Sequence, residues 1–530
     1  MIKRVLFPLF LALLCPLPLF SQPGPASSEL VLAYAPKEVT LDPLHVYTTM
    51  EAELGTALYE GLLTYHPVTL EPIPGVAGSW EEEEGGRIYR FILREEASYS
   101  NGDPVRAQDF LSAWLRILDP DNRAEYSFLF DVIQGARAYR LGEEGEELGI
   151  RVVSDKVLEV ELEKPASHFL KILCHLSFVP LHPSYQDKQD WGRAPVLITN
   201  GPFYLASREE NGLVLRKNKL YWDAGTVELE GIRVLLEEDP EKISALFNAG
   251  EVHWASSWDT ATLTDRSHIV FNPLFATSYF YFVCADTPWR DPRVRRALTL
   301  LLPLEELRSR ERLFPTSRLI PPIPVYPDTS SLDTADPEEA LALLAEAGYP
   351  EGKGLPAPLF KVARDSESEE LAALMAAAWR EKLGLESRIV SFDYDRYLEE
   401  VKKADYTLGF VTWIGDYADP LTFLQMWTRS SNLNDARYDN PDFDRLIDSS
   451  FSQLGAERYQ TMSQAEALLL TEAAVLPTSH APAFNLIDLD RLEGWFPTML
   501  NIHPFKYIRF RTPRLPPGLA GSPGRPAPPS

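Results

Sequence analysis

The residues of this chain that could do chemistry do not fall into catalytic patterns. His168 and His175 are seven apart, which puts them on one helical face only approximately, and no acidic motif of the zinc-protease kind lies between them. They read as packing or surface histidines. Ser479 stands beside His480, but sequence neighbours rarely point at each other, so the pair does not make a nucleophile and its base. Glycine-rich phosphate loops are absent. The acidic runs 81–84 and 143–147 do not combine alternating oxygen ligands with a central glycine as a calcium loop does, and they read as solvated turns. No catalytic residue, metal ligand or cofactor is expected. One carboxylate, Asp416, keeps two readings on its residues alone. It either grips a cation or caps the turn before Asp419 and Pro420.

These side chains must be positioned by a large body. At 530 residues the chain exceeds one ordinary hydrophobic core, and 45% hydrophobic with 24% charged residues is a globular composition. Strand and helix patterns alternate along it. Residues 87–94 alternate apolar with charged side chains, and 152–162 reads as a hairpin around Ser154, Asp155 and Lys156. Asp336 with Pro337 opens a helix that stops at Gly348. A second helix carries Leu371, Met375, Ala378 and Trp379 on one face and ends at Gly384, and a third, 109–118, stacks Phe110, Trp114 and Leu118. Such mixing predicts an α/β body.

Fifty-one basic against 77 acidic residues give a formal charge of −26, with no basic block, which disfavours nucleic acid as a partner. Residues 1–21 read as a secretory signal peptide: Lys3 and Arg4, an apolar run to Phe20, then Ser21 and Gln22. Cys15 offers the alternative of a lipid anchor, with Leu14 before it where a small residue is usual. After cleavage only Cys174 and Cys284 remain, either as two buried thiols or as one bridge. The proline-rich stretch 512–530 is expected to be disordered.

Several segments, in order over nearly the whole mature chain, resemble the bacterial oligopeptide- and dipeptide-binding subunits of ATP-driven importers, the family 5 extracellular solute-binding proteins. They include Leu41-Asp42-Pro43, Leu58-Tyr59-Glu60-Gly61-Leu62, Ser100-Asn101-Gly102-Asp103, Thr199-Asn200-Gly201-Pro202-Phe203, Asp291-Pro292-Arg293-Val294-Arg295 and Trp413-Ile414-Gly415-Asp416-Tyr417-Ala418-Asp419-Pro420. The resemblance implies a two-lobed periplasmic-binding-protein-like clamp of the large type II class. Lobe 1 takes residues 29–62, 186–284 and 485–511, an inserted subdomain 63–185, and lobe 2 residues 285–484. Chain crossings are implied near 281–284 and 484–486. It further implies a monomeric, extracytoplasmic, non-enzymatic receptor that captures peptides and delivers them to a membrane permease and its ATPase. The fold also hosts metal chelates, haem, opines or oligosaccharides, and a surface adhesin or sensor is a further alternative.

By its place in the motif, Asp416 is implied as the anchor for the peptide amino group, with Trp413 lining the cleft. Tyr47, Thr48 and Thr49 match the loop along the peptide backbone, Tyr279 a cleft aromatic, and Ser257 with Trp258 a polar contact segment. Phe410 and Tyr281 stand where the oligopeptide-binding relatives carry arginine and glutamate. Ala276 and Ile414 stand where some carry a bonded cysteine pair.

Overall fold

The computed structural model describes residues 28–512, apart from 36–38, 47, 144, 146, 187, 189, 310–313, 324 and 330. The signal peptide, Cys15, Tyr47 and all but the first residue of the 512–530 stretch lie outside the described residues.

The helical signals of the sequence are realised through their caps. Asp336 Oδ1 accepts the Glu339 backbone N–H at 2.9 Å, Pro337 takes the first helical position, and the helix runs Pro337–Glu346. Ser366–Leu383 ends on Gly384 at φ 62°, a left-handed conformation that glycine adopts without a Cβ clash. The helix Ala107–Leu118 starts earlier than its apolar pattern suggests, because Asp109 Oδ2 reaches back to the Arg106 backbone N–H at 2.9 Å. Its Trp114 is fully buried against Phe130 and Phe178, and its indole N–H donates to the Phe178 carbonyl.

Residues 77–161 supply a separate four-stranded antiparallel sheet in the order Ala77–Glu83, Ile88–Leu93, Val157–Glu161, Ile150–Ser154. The expected hairpin is its far edge. The acidic run 81–84 belongs mostly to a strand here, not to a turn; its residues are exposed and pair with Arg87 and Arg90.

The main sheet has eleven strands and joins the two lobes. Two long strands, Ile269–Phe282 and Val475–Ile487, run antiparallel through its centre. At one end Leu486 and Ile487 pair with Trp254–Ala255, which leads to Glu29–Tyr34 and Gly231–Leu236 of lobe 1. At the other, 276–282 pairs with Leu408–Ile414, which leads to Leu359–Ala363 and Arg388–Phe392 of lobe 2. Pro273 and Pro482 face each other where one pairing gives way to the other, and the register shifts between Pro273 and Thr277. Proline has no N–H to give a ladder, so the central pair is weakest there and can bend. This change of partners lies upstream of the crossings implied near 281–284 and 484–486. The architecture is the α/β two-lobed clamp with an inserted subdomain. No helix among the described residues is long and apolar enough to cross a membrane.

Candidate functional site

A cavity of about 470 Å³ lies between the lobes. Lobe 1 contributes one face of the helix Thr49–Leu58, whose Met50, Glu53 and Thr56 line it, together with Trp254 and Ser256. The inserted subdomain adds Tyr65, Tyr126 and His175. Lobe 2 adds the end of Leu408–Ile414 and the turn after it, 411–416. The insert and lobe 2 touch around the rim: Tyr65 Oη donates to the Asp416 carbonyl at 3.1 Å, Arg140 Nη2 to the Ser430 carbonyl at 2.9 Å, and Asn432 Nδ2 to Ser127 Oγ at 2.8 Å. The lobes are therefore drawn together.

Asp416 stands half-buried on this wall. Its backbone N–H donates to Thr422 Oγ1 at 2.9 Å, and that hydroxyl donates back to Asp416 Oδ2 at 3.2 Å. Burial pushes the carboxyl up to about 7; the Thr422 and Tyr126 hydroxyls oppose the shift, and no cation among the described residues offsets it. A carboxylate placed so can take a positive group from a ligand. The turn-cap alternative belongs instead to Asp419, whose Oδ1 accepts the Leu421 N–H at 3.0 Å.

Trp413 also lines the cavity. It is buried, and its indole N–H has no acceptor among the described residues. Thr48 and Thr49 reach the cavity; the Thr48 hydroxyl is engaged with Glu51 in a capping box, while the Thr49 side chain is exposed. Tyr279 is not on this wall. It lies in an adjoining side pocket, its hydroxyl donating to Met426 Sδ at 3.8 Å. Ser257 and Trp258 do not line the cavity either; Trp258 packs on the satellite core of Ile243, Phe247 and Leu263. Their neighbours Trp254 and Ser256 do; alternation turns Ser257 to the other face, whereas Trp258 lies beyond the strand Trp254–Ala255, where that alternation no longer holds.

Sequence reasoning missed Glu53. It sits one helical turn after Thr49, and that spacing was the available signal. Tyr34 Oη donates to its Oε2 at 3.0 Å, while Oε1 has no hydrogen-bond partner among the described residues. Burial holds this carboxyl well above its ordinary range, against the Tyr34 hydroxyl and the nearby His503 backbone N–H. Lys506 lines the cavity as well, but its Nζ is engaged with Tyr221 Oη at 3.2 Å, Asp223 at 3.3 Å and Glu60 at 3.6 Å.

Ala276 and Ile414 are direct cross-strand partners, the arrangement a bonded cysteine pair at those positions requires. Phe410 packs on Phe280 with ring centroids 4.8 Å apart, and Tyr281 faces the side pocket. Cys174 and Cys284 are free thiols. His268, Asp488 and Asp490 bring three potential ligand atoms within 4.8 Å of one another, outside the cavity lining.

Residues 71–435 match the family model described as bacterial extracellular solute-binding proteins, family 5 Middle. The chain belongs to this family. It is 26% identical to the oligopeptide-binding protein OppA of Bacillus subtilis, over 77% of this chain and 79% of that one. It is 27% identical to the probable deoxycholate-binding periplasmic protein YgiS of Escherichia coli, over 91% and 94%. Its fold superposes on the murein tripeptide binding protein MppA of Escherichia coli with a TM-score of 0.82 at 24% identity, covering 92% of this chain and 99% of that one. Against the unliganded open form of MppA the TM-score is 0.65, also at 24% identity.

Proposed function

We propose that this protein is the extracytoplasmic substrate-binding subunit of an ABC importer, which encloses a peptide between its lobes and hands it to a membrane permease. The observation that carries the reading is Asp416, a carboxyl on the wall of a closed cleft with no cation of its own. A receptor for varied peptides gains affinity from what all peptides share. Backbone groups bond alike whatever the sequence, and the free amino group supplies a fixed charge. The ammonium that Asp416 lacks is that of the ligand, and enclosure shields the pair from water. The volume suits a short peptide, being within the range of small-ligand sites.

The name of YgiS favours a second reading, a steroid acid, and the walls contributed by Met50, Val411 and Trp413 are apolar enough for one. Two carboxyls without cations, Asp416 and Glu53, oppose it, because an anionic ligand would bring a third acid into the same gap. The reading assigns no catalytic step. It takes the receptor as a monomer, released by cleavage near Ser21 in preference to lipid attachment at Cys15, with the lobe boundaries given above.

Mass spectrometry of ligand co-purified with the full chain tests this directly. Short peptides of mixed sequence are the expected finding, whereas a single bile acid or other non-peptide would overturn it. A mixed tripeptide library should also raise the Tm by mass action.

A further inference from the structure

Behind Trp413 a small pocket of about 40 Å³ opens off lobe 2, and it shares Val411 and Trp413 with the main cavity. Its walls are aromatic. Tyr279 and Tyr281 lie with ring centroids 5.8 and 6.4 Å from Trp427. The hydroxyls of this cluster are already committed: Tyr281 Oη pairs with Tyr406 Oη at 2.8 Å, Tyr397 Oη donates to the Phe410 carbonyl, and Tyr279 Oη to Met426. The tyrosines therefore line the pocket with their rings and have no uncommitted hydroxyl to offer.

One charged group lines this pocket, Asp435, which is half-buried. Burial pushes its carboxyl up to about 6, with Arg437 and Lys402 opposing the shift. Both of those cations are engaged elsewhere. Arg437 donates to the Asn434 and Lys402 carbonyls, each at 3.0 Å, and Lys402 Nζ bonds Glu125 Oε1 at 3.0 Å. Aromatic rings around an acid that feels Arg437 and Lys402 but forms no ion pair among the described residues are features that suit a cationic group.

We infer that this side pocket selects ligands whose side chain ends in a primary ammonium, received by the rings of Tyr279, Tyr281 and Trp427 with Asp435 as counter-charge. The inference rests on the peptide reading above and deepens it to a preference for lysine-class residues. The size of the pocket fixes the class. A volume of about 40 Å³ exceeds a water's share of liquid volume by little, so it admits an ammonium head, while the methylene stem lies between Val411 and Trp413.

The test uses the full chain and three tripeptides, each with one lysine among alanines at the first, second or third position, and the same three with norleucine, which keeps the stem and loses the charge. Titration calorimetry should show lysine preferred over norleucine by about tenfold or more at one position, and Asp435→Asn should abolish that preference. Equal affinities for lysine and norleucine at all three positions, or a preference that survives in Asp435→Asn, would overturn the inference and leave peptide capture standing. If none of the six peptides binds, the peptide reading falls and this inference falls with it.

Discussion

Asp416 and Asp419 stand three residues apart in one turn, and only one of them has a cation. Asp419 receives both guanidinium arms of Arg458, at 2.7 and 2.8 Å, with His168 of the insert beside the same arginine. Burial works against its charge, and Arg458 more than offsets this, so its carboxyl stays below the ordinary range. Asp416 meets similar desolvation with only hydroxyls for company, and its carboxyl rises to about 7. A buried acid with its cation in place belongs to the seam that holds the insert against lobe 2. A buried acid without one leaves an electrostatic deficit that a ligand can fill.

The sharpest way to break this contrast is on the seam. Arg458→Ala strands Asp419 in a site with no other cation bonded to it, and a buried pair broken on one side loses about 3–5 kcal/mol. Urea unfolding should show that loss. Asp416→Asn should show none. The native carboxyl at 416 binds its proton up to about pH 7, and the unfolded one releases it near the ordinary aspartate value. Ionisation at 416 therefore opposes folding increasingly as pH rises from about 4 to 7. The asparagine variant should equal the parent at low pH and match or exceed it at pH 8. Comparable destabilisation by the two substitutions would erase the distinction between seam and cleft.

Binding should invert the order. Asp416→Asn should weaken a tripeptide by about 1.5–3 kcal/mol, roughly tenfold to a hundredfold. Acetylating the peptide amino group should cost as much, and the two changes together should cost little more than either alone, because each removes one half of the same pair. Additive losses in calorimetry would detach Asp416 from the amino group.

Much of this arrangement was legible beforehand, and the unread part has a common cause. Local rules located the helices of Asp336, Gly384 and Trp114 and the hairpin at 150–161, because caps, glycines and periodicity act within a few residues. The turn carrying Asp416 was identified by resemblance, and its place on the cavity wall is what the proposal above builds on. Whether Asp416 or Asp419 had a cation was not legible, since the arginine that decides it lies at 458, far along the chain. Tyr279 and the Ser257–Trp258 segment went astray for a related reason. A strand's pattern tells which residues share a face, but what covers that face is set by partners such as Leu408–Ile414 and Val475–Ile487. The change of strand partners at the facing prolines 273 and 482 became legible only once the two strands were known to pair.

The pH dependence of binding is a smaller effect than deletion of the carboxyl, and its sign follows from the same imbalance. In the empty cleft Asp416 holds a proton below about pH 7, while a bound ammonium favours the ionised form, so binding expels that proton. Affinity should therefore fall as pH drops from 7 towards 5, by at most about tenfold per pH unit. The fall should vanish in Asp416→Asn. A slope kept by that variant would locate the titrating group elsewhere.

The mildest prediction concerns the rim. Asn432 donates to the Ala124 carbonyl at 3.0 Å and to Ser127 Oγ at 2.8 Å, and accepts from Arg140 Nη1 at 3.3 Å, so it ties lobe 2 to the insert in three places. Its own side is open to solvent, where such bonds exchange with water at small net cost. These contacts form only when the lobes meet, and each can be lost without stranding a charge. Asn432→Ala should leave unfolding unchanged and speed peptide release by several-fold, as expected for a net loss of about 1 kcal/mol from the closed state. Stopped-flow release measures this. An unchanged release rate would mean that the rim contacts follow closure without stabilising it, and would leave the ligand's charge pair as the main force holding the lobes together.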